Sequence, residues 1–172
     1  MVTIRPRTGA DVDACVAIAE AVHDLDGYPV YLPTSLREFL VSAEAYGAWV
    51  AEDGGHVVGH VALHKRSTDA VIGLASTALG RPAHRLAVVA RLLVAPGVRR
   101  AGIGRSLLDV AAREAATRGL YPILDVVAQH VAAVALYESC GWIRAGTVTC
   151  PLGQGDVVEE HVYLGPPSHR SD

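Results

Sequence analysis

The sequence predicts an α/β fold, in which strands alternate with amphipathic helices and at least one strand is covered on both faces. Three stretches carry that expectation. Ala87 to Val94 is an apolar run stopped by Pro96-Gly97, and Ile103, Leu107, Val110, Ala111 and Ala115 then recur at helical spacing. Tyr121 to Ala128 is a second apolar run, interrupted only at Asp125, as expected of a strand buried on both sides. Ile143–Cys150 and Val157–Leu164 flank Gly153-Gln154-Gly155-Asp156, which reads as a hairpin. At 172 residues the chain suits one domain, expected over residues 1–165, with a polar tail at 166–172.

Taken in order, Thr3-Ile4-Arg5 is a short strand ended by Pro6, and Asp11 is placed to cap a helix marked by Val12, Cys15, Ile18, Ala19 and Val22. His23 to Pro33 has the composition of a loop, and a second helix is expected from about Thr34 to Ala43. Tyr46–Glu52 and His56–His64 are strands around Asp53-Gly54-Gly55. In the second of these, Val57, Val61 and Leu63 share one face and His56, His60 and His64 the other. Three histidines at that spacing suggest a metal, yet on a strand successive members stand roughly 13 Å apart and no cysteine or carboxylate completes a set. No metal is expected. Lys65 to Arg85 is a long connection, read either as a strand extension with a small lid or as a dimer contact. A helix over Val131–Cys140 follows the Tyr121–Ala128 strand.

Composition narrows the function. With 18 acidic and 15 basic residues the formal net charge is −3, so nothing draws the chain to nucleic acid. No apolar run is long enough to span a bilayer, and no membrane partner is expected. The chain enters structure at once at Met1-Val2-Thr3, without an apolar leader. Cys15, Cys140 and Cys150 are an odd, widely spaced set that reads as reduced thiols in a cytoplasmic protein. The abundance of Ala, Val and Gly matches a high-GC coding bias.

The chemistry concentrates in Arg99-Arg100-Ala101-Gly102-Ile103-Gly104-Arg105, between the central strand and its helix. Gly102 and Gly104 remove side chains where backbone N–H groups can close on a phosphate oxygen. The start of a helix leaves N–H donors unpaired and carries partial positive charge, and the arginines add fork-shaped donors. The stretch reads as a diphosphate cradle. It is not a P-loop, since Gly104-Arg105-Ser106 lacks the lysine, nor a dinucleotide fingerprint, since Leu107 stands at the third glycine.

Arg99-Arg100-Ala101-Gly102-Ile103-Gly104 resembles the coenzyme A pyrophosphate loop of the GNAT superfamily of N-acyltransferases, Arg/Gln-x-x-Gly-x-Gly/Ala. A second signature of that family, Asn-x-x-Ala-x-x-Leu/Phe-Tyr-x-x-x-Gly-Phe/Trp, is matched downstream by Ala133, Leu136, Tyr137, Gly141 and Trp142, with His130 at the Asn position. The resemblance covers residues 87–142 firmly. It implies a central mixed, splayed β-sheet flanked by helices on both faces, with acetyl-CoA as cosubstrate in the opening. By the same resemblance the pantetheine pairs with backbone of Leu92, Leu93 and Val94, and the diphosphate meets Arg99, Arg100, Ala101, Gly102, Ile103, Gly104 and Arg105. His130 and Ala133 complete the cofactor-binding set; His130 either donates to a pantetheine or backbone oxygen or faces solvent. The two N-terminal helices lie over the acceptor groove, which makes Asp24, Asp26, Tyr28 and Tyr31 candidate substrate contacts.

The implied activity is transfer of an acetyl group to a primary amine of a small molecule or peptide by direct attack. Tyr137 is the expected catalytic acid for the departing thiolate, and a backbone N–H, that of Val94, polarises the carbonyl. Many members carry a glutamate in the central strand; here Val88-Val89-Ala90-Arg91 offers none, which leaves His60, His64, Asp125 or water as the base. A lysine-like amine of pKa about 10.4 is only about 0.1% neutral near pH 7.4, a handicap of about 4 kcal/mol, whereas an α-amino group near pKa 8 loses less than 1 kcal/mol. A site without a strong base therefore favours a weakly basic amine. The alternatives are a non-catalytic acyl-CoA-binding domain and an acetyltransferase of protein N-termini or lysines. A homodimer is compatible with the C-terminal hairpin edge.

Overall fold

The structure, a computed structural model, describes residues 1–30, 33–99 and 101–167. Seven strands form an open mixed sheet flanked by helices: β1 (Val2–Pro6), β2 (Ala45–Asp53), β3 (His56–His64), β4 (Leu86–Val94), β5 (Tyr121–Val127), β6 (Ile143–Gly153) and β7 (Asp156–Leu164). Their order is β1-β2-β3-β4-β5-β7-β6. β4 and β5 run parallel; β1–β2, β2–β3, β5–β7 and β6–β7 are antiparallel. The helices are α1 (Val12–Asp26), α2 (Leu36–Leu40), α3 (Asp69–Leu79), α4 (Ile103–Thr117) and α5 (Val131–Ser139). The chain divides into two compact units, Met1–His64 with Val89–Ala111, and Lys65–Val88 with Ala112–Asp172; β4 and α4 pass from one to the other.

In the first unit, Cys15, Ile18, Ala19 and Val22 of α1 pack with Leu40, Val50 and Leu93. This is the apolar stripe legible in the sequence. α1 runs further than expected, through Asp26, because nothing before Gly27 breaks it; the Gly27 N–H closes the helix on the His23 carbonyl at 2.8 Å. α2 is shorter than Thr34–Ala43: Ser35 caps it, accepting from the Glu38 N–H. Asp11 precedes α1 but turns back instead of capping it. Its carboxylate accepts from the Thr8 N–H at 2.7 Å and takes both ends of the Arg5 guanidinium at 2.9 Å. That bidentate partner holds the Asp11 carboxyl well below the ordinary range.

β3 departs from the expected alternation. Ala51 pairs with Gly59 and Glu52 with Val57, so Val58 is an extra residue and the period breaks there. His56 is exposed, while every residue from Val58 to His64 is buried.

The second unit centres on Val71 and Ala75 of α3 with Leu86, Val88, Ile123 and Val162. Lys65–Arg85 is therefore neither a strand extension nor an open lid; it contains a helix that packs on β6 and β7. Thr68 caps it by accepting from the Val71 N–H at 3.3 Å, and Gly80, at φ +62°, ends it. β4 contributes three pairs to this unit's ladder, Leu86↔Tyr121, Ala87↔Pro122 and Val88↔Ile123.

Candidate active site

β4 ends in the first unit at Leu92, Leu93 and Val94, of which Leu93 is buried in the α1–α2 core. The residue before them, Arg91, has φ +56°. An L-residue in the left-handed region is strained by about 1–2 kcal/mol, so its surroundings must hold it there. They do so on two sides. The Arg91 carbonyl accepts from His60 Nδ1 at 2.8 Å, and its guanidinium lies 3.7 Å over the Phe39 ring while Nε donates to the Phe39 carbonyl at 3.2 Å.

His60 is fully buried, with both ring nitrogens engaged. An Arg7 amine donates to Nε2 at 2.9 Å, so the proton sits on Nδ1, where it reaches the Arg91 carbonyl. Burial, aided by the charges of Arg7 and Arg91, takes its pKa down to about 4. His64 is 6% exposed and its Nε2 has no hydrogen-bond partner. Burial first, then Arg91, lowers it to about 4 as well.

Beyond β4 the chain turns through Pro96–Val98 into the arginine–glycine loop. Arg99 donates from Nε to the Val94 carbonyl at 3.4 Å and pairs with Asp26 at 2.6 Å. Asp26 is the last residue of α1, so this candidate substrate contact is joined to an arginine of the loop. Gly102 has φ +77°, and a Cβ there would meet nothing within 4 Å. Ile103 opens α4 and is buried with Leu107, Leu108 and Ala111, while Ala101, Gly102 and Arg105 are exposed. The first N–H groups of α4 thus follow an uncovered turn held by a residue type that only glycine fills without strain. Gly104 is half-buried. Arg100 and Tyr31 lie outside the described residues. Asp24 is exposed on α1, and Tyr28 packs edge-on to Phe39.

In the second unit His130 is the N-cap residue of α5, yet its side chain makes no capping bond. Ala133 is half-buried one turn on. Tyr137 is 9% exposed, its ring 5.9 Å from that of Tyr163. Tyr163 is fixed in turn: its hydroxyl donates to Glu138 at 2.7 Å and accepts from Arg144. The hydrogen bond from Tyr163 lowers the Glu138 carboxyl, and Arg144 adds to that. Asp125, half-buried on β5, accepts from Ser67 Oγ at 3.0 Å. It also hydrogen-bonds Glu160, which sits diagonally across the β5–β7 ladder; burial, then Asp125, raises Glu160. Among the described residues no three His, Cys, Asp or Glu side chains are grouped as a metal would need.

An open mixed sheet whose central strand feeds an arginine–glycine loop and the start of a long helix defines an α/β protein. The chain belongs to the acetyltransferase (GNAT) family, whose model matches residues 18–142. It is an N-acetyltransferase that uses acetyl-CoA and an amine acceptor. Among solved structures it is similar to the ribosomal-protein-alanine N-acetyltransferase of Brucella melitensis, at 24% identity and TM-score 0.68, covering 95% of this chain and 99% of that one. The ribosomal-protein-S18-alanine N-acetyltransferase of Escherichia coli gives 22% and 0.67, over 96% and 94%. The yncA protein of Salmonella typhimurium, solved with its cofactor acetyl-CoA, gives 20% and 0.67, over 99% and 96%. At these identities the likeness shows the fold. No curated protein matches the chain in sequence.

Proposed function

We propose that the chain moves an acetyl group directly from acetyl-CoA to a primary amine of a small molecule or peptide, as a single catalytic domain over residues 1–165. The observation that carries this reading is the turn at Gly102, left-handed, open where a Cβ would stand, and followed at once by α4. Arg99 to Arg105 hold the diphosphate, the backbone of Leu92 to Val94 pairs with the pantetheine amides, and His130 and Ala133 border the cofactor. Acetyl-CoA, when bound, supplies a thioester open to attack by nitrogen. A C–N bond forms at the acetyl carbon as the C–S bond breaks; the Val94 N–H stabilises charge on the carbonyl oxygen, and Tyr137 gives its phenolic proton to the departing sulfur.

Asp125 takes the proton that the amine loses. His60 has no free ring nitrogen, and burial makes both His60 and His64 weak bases. Asp125, by contrast, is half-buried and shares hydrogen bonding with Glu160. Burial, then Asp125, raises Glu160, so the neighbouring carboxyl can share the proton that Asp125 takes up.

The test is thiol release from acetyl-CoA against a panel of polyamines, aminoglycosides, amino acids, aryl amines and N-terminal peptides. Peptides belong in it because two of the structural neighbours are named for a ribosomal-protein alanine. Tyr137→Phe and Asp125→Asn are each expected to lower kcat by about tenfold to a hundredfold, the low end for a general acid or base because a thiolate leaves readily. An unchanged kcat in either variant removes that residue from the mechanism. A panel without turnover, beside a melting temperature still raised by acetyl-CoA, favours a non-catalytic acyl-CoA-binding domain.

The Arg99–Asp26 pair gives a second expectation. Both side chains are about a third exposed, so the pair is worth less than about 1 kcal/mol and competes only mildly with a phosphate for Arg99. Asp26→Asn should tighten acetyl-CoA by a few-fold in calorimetry, and Arg99→Gln should weaken it by about tenfold. Equal affinity in all three proteins would take Arg99 out of the cradle. Cys15, Cys140 and Cys150 are free thiols, which supports a reducing, cytoplasmic setting, and the proposal is of a bacterial enzyme. β6 stands at the sheet edge with Ile143 exposed, the surface on which a homodimer would form.

A further inference from the structure

Arg91 holds more donors than its structural duties use. Nε serves the Phe39 carbonyl and one face of the guanidinium covers the Phe39 ring, while its two terminal amino groups have no protein partner among the described residues. A guanidinium cannot accept a hydrogen bond or shed its charge, so only an acceptor, best an anionic one, completes it. With one face closed by a ring, the group presents two coplanar N–H donors, the geometry matched by the two oxygens of a carboxylate.

Among the described residues no carboxylate is bonded to those amino groups. Arg7, from the end of β1, spends one amine on the Leu40 carbonyl and on His60. His60 and His64 of β3 are buried and neutral, and Glu44 is the carboxylate that His64 feels from the segment leading into β2. Among the described residues the charges that act on His64 are two permanent cations, Arg91 and Arg7, and one carboxylate. His64 adds an independent sign of an unfilled site: a side chain 6% exposed whose Nε2 meets nothing that can bond it. Arg91 also stands immediately before Leu92–Val94 in the chain and stacks on α2.

We propose that Arg91 reads a carboxylate on the acceptor, so that the substrate class is an amine that carries its own carboxylate, an amino acid and not a polyamine or aryl amine. The inference rests on the acetyl-transfer reading above, with Leu92–Val94 beside the thioester and α1–α2 over the acceptor. The left-handed backbone of Arg91, held by His60, aims this side chain at α2 and so at the acceptor.

The experiment compares matched acceptors: a free amino acid, its carboxamide and the corresponding alkylamine, for aliphatic, aromatic and acidic side chains, with β-alanine added to lengthen the spacing. The free acids are expected to exceed their amides in kcat/KM by about tenfold to a hundredfold. Arg91→Gln should erase that gap by raising KM for the acids while leaving the amides nearly unchanged, and Arg91→Lys should restore part of it. Because Arg91 also steadies Phe39, each variant is checked by circular dichroism and by its melting-temperature shift with acetyl-CoA. Amides or alkylamines used as well as the acids overturn the inference, as does a variant that loses all three acceptors equally. If no member of the series is acetylated, the inference falls. A melting temperature still raised by acetyl-CoA then leaves the acetyl-transfer reading standing, and a lost shift brings it down too.

Discussion

Lowering the pH from 7 towards 4.5 is expected to remove about 5 kcal/mol of the stability of the first unit, most of it before ordinary carboxylates protonate. The cause is the pair of buried histidines on β3. An unfolded chain binds a proton on each near pH 6.5, whereas in the fold both have pKa values of about 4. With the folded value below the unfolded one, the stabilisation is complete above pH 6.5 and is lost as pH falls through the window to about 4. Each histidine contributes about 1.4 kcal/mol per pH unit within it, so the pair gives a slope approaching about 2.7 kcal/mol per unit. A domain with a typical stability of about 5–15 kcal/mol cannot absorb that for long. Asp11, whose carboxyl is held low by Arg5, adds a loss of the same sign only further down. Urea unfolding at stepped pH, followed by the fluorescence of buried Trp49 and Trp142, reads the slope. His64→Leu should halve it and raise stability at pH 5, because it removes a buried polar atom that has no partner. An unchanged slope in that variant would show that His64 takes up its proton in the fold as readily as in the unfolded chain.

The features legible in the sequence are those set by local pattern. The apolar runs of β4 and β5, the stripe of α4 and the Gln154–Gly155 hairpin turn each announce themselves within a dozen residues. The arginine–glycine loop is legible as a local pattern too, since its small residues and its donors stand close together. α3 is not legible although Thr68 and Gly80 mark both its ends: Lys65–Arg85 reads as a strand extension with a small lid or as a dimer contact, and packing on β6 and β7 goes with a helix. What could not be read is what depends on distant partners. His60 looked like a candidate base, yet its ring is closed by Arg7, 53 residues away, and by the Arg91 carbonyl, 31 away. Glu160 had no signal as a neighbour of Asp125 until the β5–β7 register set it there. The left-handed Arg91 had none either, since a non-glycine residue gives no hint of positive φ. The absent strand glutamate and the strained arginine thus belong to one stretch, Val88–Arg91, where the sequence read only a lack.

Gly59→Val is expected to destabilise the first unit by about 3 kcal/mol or more and to abolish measurable acetyl-CoA binding. Gly59 sits beside the extra residue of β3, where the strand passes under α4. A Cβ built there falls 2.9 Å from Leu107 Cδ1, 3.1 Å from the Leu93 carbonyl oxygen and 3.3 Å from Ile103 Cγ2. Leu107 can rotate, but the Leu93 oxygen is backbone on β4 and Ile103 begins the cradle helix, so neither yields alone. The Ala95 N–H, bonded to the Val58 carbonyl at 2.8 Å, ties the two strands at the same level and blocks the simplest relief. Alanine should therefore cost about 1–2 kcal/mol, and valine, with two more carbons, exceeds the usual range for overpacking. The functional loss follows from which atoms must move: the Leu93 backbone proposed to pair with pantetheine, and the first turn of α4 proposed to hold the diphosphate. Urea unfolding and the acetyl-CoA melting shift measured together separate the two effects. Gly59→Ala is the informative variant, since it should remain folded while its melting shift falls. A full shift in a destabilised Gly59→Ala would mean that α4 and Leu93 relax without disturbing the cradle, and would detach cofactor binding from this packing contact.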